Sequence, residues 1–312
     1  MMEAVIYDGA VAKYVTDYPK PECKPGYSLI KIKLAAVCNT DKEVRAGYKP
    51  DFRGVMGHEF VGVVEDSDNK SWIGKRVVGE LNEPCGHCIY CKTMRPTHCI
   101  NRKVIGLNEK DGCFAPYMTL ATELLHEIPD DLPDGQAIFT EPLAAAIELT
   151  TQAHLDVTKN VAVLGDGRLS LMITEVLSLY GMDITVIGHH PEKLELFKPY
   201  AKTTLVGEPQ GYEYVVDATG VPAGMKDALE LVRKRGTIFM KSTYAGDARI
   251  NLSSVVVNEI KLVGSRCGPF EPALRLLERK LIQFPPIELF SLQDFEKAFS
   301  YRGFKAGFKI NS

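Results

Sequence analysis

The chain has 312 residues, 45% hydrophobic and 25% charged, with a formal net charge of -3. That length holds two domains, the mild acidity excludes a polyanionic partner such as nucleic acid, and no run approaches the ~18 apolar residues of a membrane span. Eight cysteines, and no basic, apolar leader at residues 1–7, are expected of a protein from a reducing cytoplasm.

Residues 1 to about 80 read as short strands separated by turns. Residues 28–34 (Ser-Leu-Ile-Lys-Ile-Lys-Leu) alternate apolar and polar side chains, as a half-buried strand does, and residues 60–65 and 75–78 look similar. A small β-rich domain or barrel is expected. Cys38-Asn39-Thr40-Asp41 directly follows the first of these strands, and Gly57-His58-Glu59 directly precedes the second. Cys, His and carboxylate side chains bind zinc, and three protein ligands leave the fourth position open for substrate. Taken singly, Cys38 also fits a small buried apolar residue, and His58 a satisfied core or surface residue.

Cys85, Cys88, Cys91 and Cys99 follow at C-x2-C-x2-C-x7-C spacing. Four thiolates this close together wrap one tetrahedral zinc ion and leave no open position, so the site is structural. Gly86 permits the tight turn, and Pro84 and Pro96 bracket a segment expected to hold neither helix nor strand. Two disulfides are the alternative, and they need an oxidising compartment. Lys92, Arg95, Arg102 and Lys103 lend the segment some charge, but without interleaved aromatics a nucleic-acid-binding ribbon is not expected.

From about residue 150 strands and helices alternate. The apolar run 160–164 leads into Gly165-Asp166-Gly167-Arg168-Leu169-Ser170, then a helical pattern to Gly181; residues 183–187, 212–216, 236–240 and 260–263 continue a parallel sheet. This is the pattern of a doubly wound dinucleotide-binding fold. Gly165 permits the turn, Gly167 lets the backbone of Arg168 and Leu169 approach a pyrophosphate, and Ser170 stands at the third glycine position. The acid that binds the adenosine ribose in NAD-selective sites aligns with Gly188, followed by His189, His190 and Lys193. Absence of a carboxylate there, with histidines and a lysine nearby, favours NADP(H) over NAD(H); the same residues also fit a plain helix start.

Cys-x-Thr-Asp, Gly-His-Glu and the four-cysteine lobe, in this order, resemble the zinc-containing medium-chain alcohol dehydrogenase/reductase superfamily. Gly112-Cys113-Phe114-Ala115-Pro116-Tyr117 is similar to its "GxxAEY" segment, with Pro116 in place of the acid. Thr140-Glu141-Pro142-Leu143 is similar to the "EPL" segment of the polyol and threonine dehydrogenase branches, and Asp217-Ala218-Thr219-Gly220 to the strand end beside the cofactor. The resemblance covers nearly the whole chain. It implies a GroES-like catalytic domain over 1–140 with a zinc lobe at 85–99, a Rossmann domain over 141–266, and a return to the catalytic domain over 267–312.

The resemblance further implies two zinc ions per chain, the catalytic one held by Cys38, His58 and Glu141, with Glu59 as ligand or supporting carboxylate. Without it, Glu141 reads as a helix-start carboxylate favoured by the macrodipole. The expected reaction is hydride transfer between a nicotinamide cofactor and an alcohol or carbonyl substrate, with a polyol, sugar or secondary alcohol favoured over a simple primary alcohol. Thr40 is the expected proton relay. Glu43 stands where many relatives carry a relay histidine, and Arg266 is expected at the cofactor or in a surface pair. A homodimer or homotetramer is implied as well. The competing expectation is a non-catalytic zinc- and nucleotide-binding regulatory relative.

Overall fold

The alternation at residues 28–34 belongs to a ten-residue strand, Tyr27–Ala36, whose inward side chains Ile30 and Ile32 are fully buried. Around it the computed structural model builds a seven-stranded sheet in the order Leu125–Glu127, Arg76–Gly79, Glu59–Ser67, Tyr27–Ala36, Ala306–Lys309, Glu288–Phe290, with Tyr117–Ala121 also paired to Tyr27–Ala36. Its pairs are antiparallel except the last, which is parallel. Met2–Tyr7, Ala12–Tyr18 and Gly54–Val55 make a second, three-stranded sheet. Phe114 and Phe308, both fully buried, meet edge to face at 4.8 Å and seal the core where the C-terminal strand joins. Residues 1–243, 247 and 249–311 are described.

The chain divides into two units, Met1–Glu141 with Leu274–Ser312, and Pro142–Ala273. The first is therefore built from two separate stretches of sequence. Within it, the segment expected to lack regular structure holds a helical turn at Ile89–Lys92 and a 3-10 turn at Pro96–His98. Cys88 caps the first turn in an extended conformation, so the chain can turn and still aim successive sulfurs inward. The strands flanking the lobe, Asn82–Glu83 and Lys103–Ile105, pair with each other and close it at its base.

The second unit is a six-stranded, all-parallel sheet in the order Lys202–Thr204, Asp183–Ile187, Asn160–Leu164, Tyr212–Asp217, Val232–Met240, Lys261–Gly264. Val161, Ala162, Val163 and Leu164 are all buried, as a central strand covered on both faces requires. The strand order reverses beside Asn160–Leu164, which places a crevice at the carboxyl ends there. Helix Arg168–Ser178 rises from that end with Gly167 as its N-cap. Residues 252–257, Leu-Ser-Ser-Val-Val-Val, form a helix despite three consecutive β-branched residues; the Asn251 side chain caps it by accepting from the Ser253 amide. Among the described residues, no helix is long and apolar enough to cross a membrane.

Candidate active site

Strand pairing assembles the first cluster. Ala36, at the end of Tyr27–Ala36, lies opposite Glu59 on one side and Gly307 on the other. The residues just past or before those points, Cys38, His58 and Lys305, therefore converge. Gly57 makes the approach possible. It sits at φ +90°, and a Cβ there would lie 2.3 Å from the Phe114 ring.

The metal-binding atoms of Cys38, His58 and Glu59 lie within 4.8 Å of one another. Cys38 also caps helix Asn39–Arg45. Its amide donates to Asp41 Oδ2 at 2.8 Å, while Asp41 Oδ1 faces His58 Nδ1 at 3.2 Å. Asp41 and His58 are both buried. One carboxylate thus holds the turn that carries Cys38 and lies against Nδ1 of His58, the arrangement in which Nε2 is the ring nitrogen left to serve as a ligand. Burial opposes a charge on His58, but Asp41 and then Cys38 outweigh it and hold its pKa well above the ordinary value. The pocket is electrostatically built for a cation.

Glu59 is 1% exposed and ion-paired through Oε2 with Lys305, itself 3% exposed. Its Oε1 has no hydrogen-bond partner among the described residues. A buried carboxylate oxygen without a donor is costly, and a metal ion at the cluster satisfies it. The donor set of one sulfur, one imidazole nitrogen and one carboxylate oxygen fits zinc with an open fourth position. Thr40 is on the first turn of the same helix, its Oγ1 3.7 Å from Cys38 Sγ. Glu141 sits in the first turn of helix Thr140–Gln152 and is not one of the three clustered donors. Cys113, fully buried behind the cluster, donates to the Glu59 carbonyl at 3.4 Å. Sequence reasoning missed Lys305, because nothing near residue 305 marks it as the counter-charge of a group at 59.

The sulfurs of Cys85, Cys88, Cys91 and Cys99 also lie within 4.8 Å of one another. Cys88 and Cys91 stand 3.5 Å apart, far beyond the ~2.05 Å of a disulfide, and all eight cysteines are free thiols. The Cys99 sulfur accepts from the Cys85 amide at 3.3 Å. The amide of His87 leads in holding the Cys85 thiol down to about 6. Backbone donors aimed at sulfur are what thiolate ligands need, so this set too fits zinc.

In the second unit the glycine turn is pinned on both sides: Gly165 N donates to Ile187 O, and Ala218 N to Leu164 O. Ser170 is buried, its hydroxyl 3.5 Å from Ala218 O, so it packs where the third glycine was expected. Asp217 holds the neighbouring loop, accepting from the Thr219 amide at 3.0 Å, the Thr219 hydroxyl at 2.7 Å and the Ser242 hydroxyl at 3.0 Å. The Arg266 carbonyl accepts from the buried Lys241 ammonium.

The adenosine end departs from expectation. Asp166, inside the glycine turn, lays its carboxylate over Gly188. Its Oδ2 accepts from the amides of His189 (2.7 Å) and His190 (2.9 Å) and meets His190 Nδ1 at 2.9 Å; Lys193 Nζ lies 3.8 Å from Oδ1. The place expected to lack a carboxylate is occupied by one from elsewhere in the chain.

Residues 24–130 match the alcohol dehydrogenase GroES-like domain, and residues 169–279 the zinc-binding dehydrogenase domain. A sorbitol dehydrogenase of Halalkalibacterium halodurans is 30% identical over 92% of both chains. The chain belongs to the zinc-containing medium-chain dehydrogenase/reductase superfamily, in its polyol and threonine dehydrogenase branch. An L-threonine 3-dehydrogenase of Shewanella loihica is 30% identical over 80% of each chain. The fold matches an alcohol dehydrogenase from E. coli CFT073 solved with NADH, with a TM-score of 0.88 over 99% of each chain at 22% identity. As a member of this superfamily the protein is an NAD(P)-dependent alcohol dehydrogenase/reductase that uses zinc.

Proposed function

We propose that the protein oxidises a polyol, sugar or other secondary alcohol to the ketone, and runs the reverse reduction, at the Cys38–His58–Glu59 cluster. The observation that carries this is the buried, cation-seeking donor set, oriented by Asp41 and carrying one carboxylate oxygen without a partner. The sorbitol and threonine dehydrogenase relatives support the substrate class. The alcohol loses one proton from oxygen and one hydride from carbon, the oxidised nicotinamide gains the hydride, and the products are ketone, reduced cofactor and a proton. When bound, zinc supplies Lewis acidity towards the substrate oxygen and the nicotinamide supplies the hydride acceptor.

The chain's own groups do the rest. Cys38 offers its sulfur, His58 the ring nitrogen on the side away from Asp41, and Glu59 a carboxylate oxygen, with Lys305 paired to its Oε2. Glu141 is the alternative third ligand. The Thr40 hydroxyl takes the substrate proton, and Glu43, one turn later on the same helix face and half-buried, receives it on the way to solvent.

We assign a second zinc to the four-cysteine lobe and one dinucleotide to the Gly165–Gly167 turn, with Arg168, Leu169, Thr219 and Arg266 around it. His189, His190 and Lys193 favour NADP(H); Asp166 opposes it. A homodimer or homotetramer is supported by the edge strand Lys261–Gly264 and by Leu252, Val256 and Val257, 62–79% exposed on the preceding helix. Eight free thiols support a cytoplasmic setting. The non-catalytic alternative has no observation in its favour.

The test is metal content with turnover on a panel of polyols, ketones and aldehydes. About two zinc ions per chain are expected. Cys38→Ala and His58→Ala should each lose one of them and at least about a thousandfold in turnover. Undiminished turnover in both variants would sink the assignment.

A further inference from the structure

We propose that Asp166 is the cofactor-discriminating acid of this chain, supplied from inside the glycine turn instead of from the end of the second strand, and that it makes the site selective for NAD(H). The inference rests on the nicotinamide reading above and deepens it.

Three observations converge. A Cβ built on Gly188 would lie 2.8 Å from both Cβ and Oδ2 of Asp166 and 2.9 Å from Leu194 Cδ2. Gly188 is thus a glycine because the Asp166 side chain fills the space a strand-end Asp or Glu would need. The backbone there is not in the left-handed region, so packing, not φ, forbids the side chain. Next, the carboxylate is fixed and ionised. Burial resists the charge, yet His190 and the amides of His189 and His190 prevail and hold its pKa below the ordinary value. Finally, His190, one of the groups that would meet a 2′-phosphate, is already held on Oδ2, while Lys193 stands 3.8 Å from Oδ1.

Oδ2 has three donors, whereas Oδ1 has only the distant Lys193 ammonium among the contacts seen. Oδ1 is therefore the acceptor for an adenosine ribose hydroxyl. A 2′-phosphate brought to the same place would set a dianion against a carboxylate, and the like charges repel. The residue discriminates by accepting the hydroxyl that NAD(H) has and repelling the phosphate that NADP(H) adds.

The experiment is calorimetric titration of the zinc-loaded protein with NADH and with NADPH, for the unmodified chain, Asp166→Asn, and the swap Asp166→Gly/Gly188→Asp. The unmodified chain should bind NADH at least about tenfold more tightly than NADPH. Asp166→Asn keeps an oxygen for the amides and removes the charge, so the ratio should fall about tenfold or more, mainly through tighter NADPH binding. A residue that merely pinned the turn would leave the ratio unchanged, and that result overturns the proposal. The swap returns the carboxylate to the strand end and should restore NADH preference even if Asp166→Asn folds poorly. An unmodified chain that prefers NADPH overturns the proposal while leaving the enzyme reading intact. Binding of neither dinucleotide overturns both.

Discussion

Glu175 is a residue the chemistry does not use. It is 3% exposed on helix Arg168–Ser178, with Oε2 lacking a hydrogen-bond partner, and burial alone pushes its pKa up to about 8. The folded chain keeps this proton where the unfolded chain has released it, so stability is greatest below the ordinary value of 4.5 and falls as pH rises towards 8. Tyr200, the other titrating group it feels, is itself raised and stays neutral in that window. Glu175→Gln should flatten the pH profile and raise stability at pH 8–9 by about 2–4 kcal/mol, read from urea midpoints. Lys305→Met should do the opposite, costing roughly 3 kcal/mol or more by stranding the Glu59 carboxylate, with Lys305→Arg recovering most of it. At this scale the sequence was readable where chemistry is local. Cys38, His58 and Glu59 lie beside strand ends, and their residue types announce a metal. Asp166 and Lys305 were not readable, since each acquires its role from a strand pairing or packing contact with a residue distant in sequence.

Among elements, the four-cysteine lobe is the clearest case of a spacing that foretells where the sulfurs gather and leaves the backbone between them unread. The spacing announces the sulfur cluster, but one helical turn inside it stayed hidden between two prolines. Ile89, Met94 and Ile100 are 65%, 89% and 68% exposed, so the lobe has little apolar burial to hold it. The zinc proposed for this lobe would supply by ligation what packing does not. Cys91→Ser, or chelation, should open Lys92 and Arg102 to rapid tryptic cleavage while NADH binding persists; lobe cleavage unchanged from the zinc-loaded protein would show that packing suffices. Strands 160–164 and 183–187 were legible to the residue because each is a short stretch rich in β-branched or apolar residues that ends at a glycine, Gly165 or Gly188. The helix at Leu252–Val257 was not, since its β-branched run argues for a strand and only the Asn251 cap and tertiary context decide otherwise.

For the whole molecule, the fold class was legible because the change from β texture to alternating texture is a long-range statistical signal that survives local errors. The first unit takes its strand Ala306–Lys309 and the Glu59 counter-charge from the far end of the chain, whereas Pro142–Ala273 is contiguous. Truncation after residue 273 should therefore leave dinucleotide binding measurable while the first unit loses protection in hydrogen exchange; equal protection of both units would count against this division. On the ribosome the usual order is inverted. The strands of residues 1–141 emerge first but wait, with an unneutralised carboxylate and an open sheet edge beside Leu34–Ala36, until residues 305–309 have followed the whole of Pro142–Ala273. The Cys38–His58–Glu59 cluster thus matures after the contiguous unit that follows it in sequence, and a translation product interrupted before residue 305 would carry these three side chains without their lysine counter-charge.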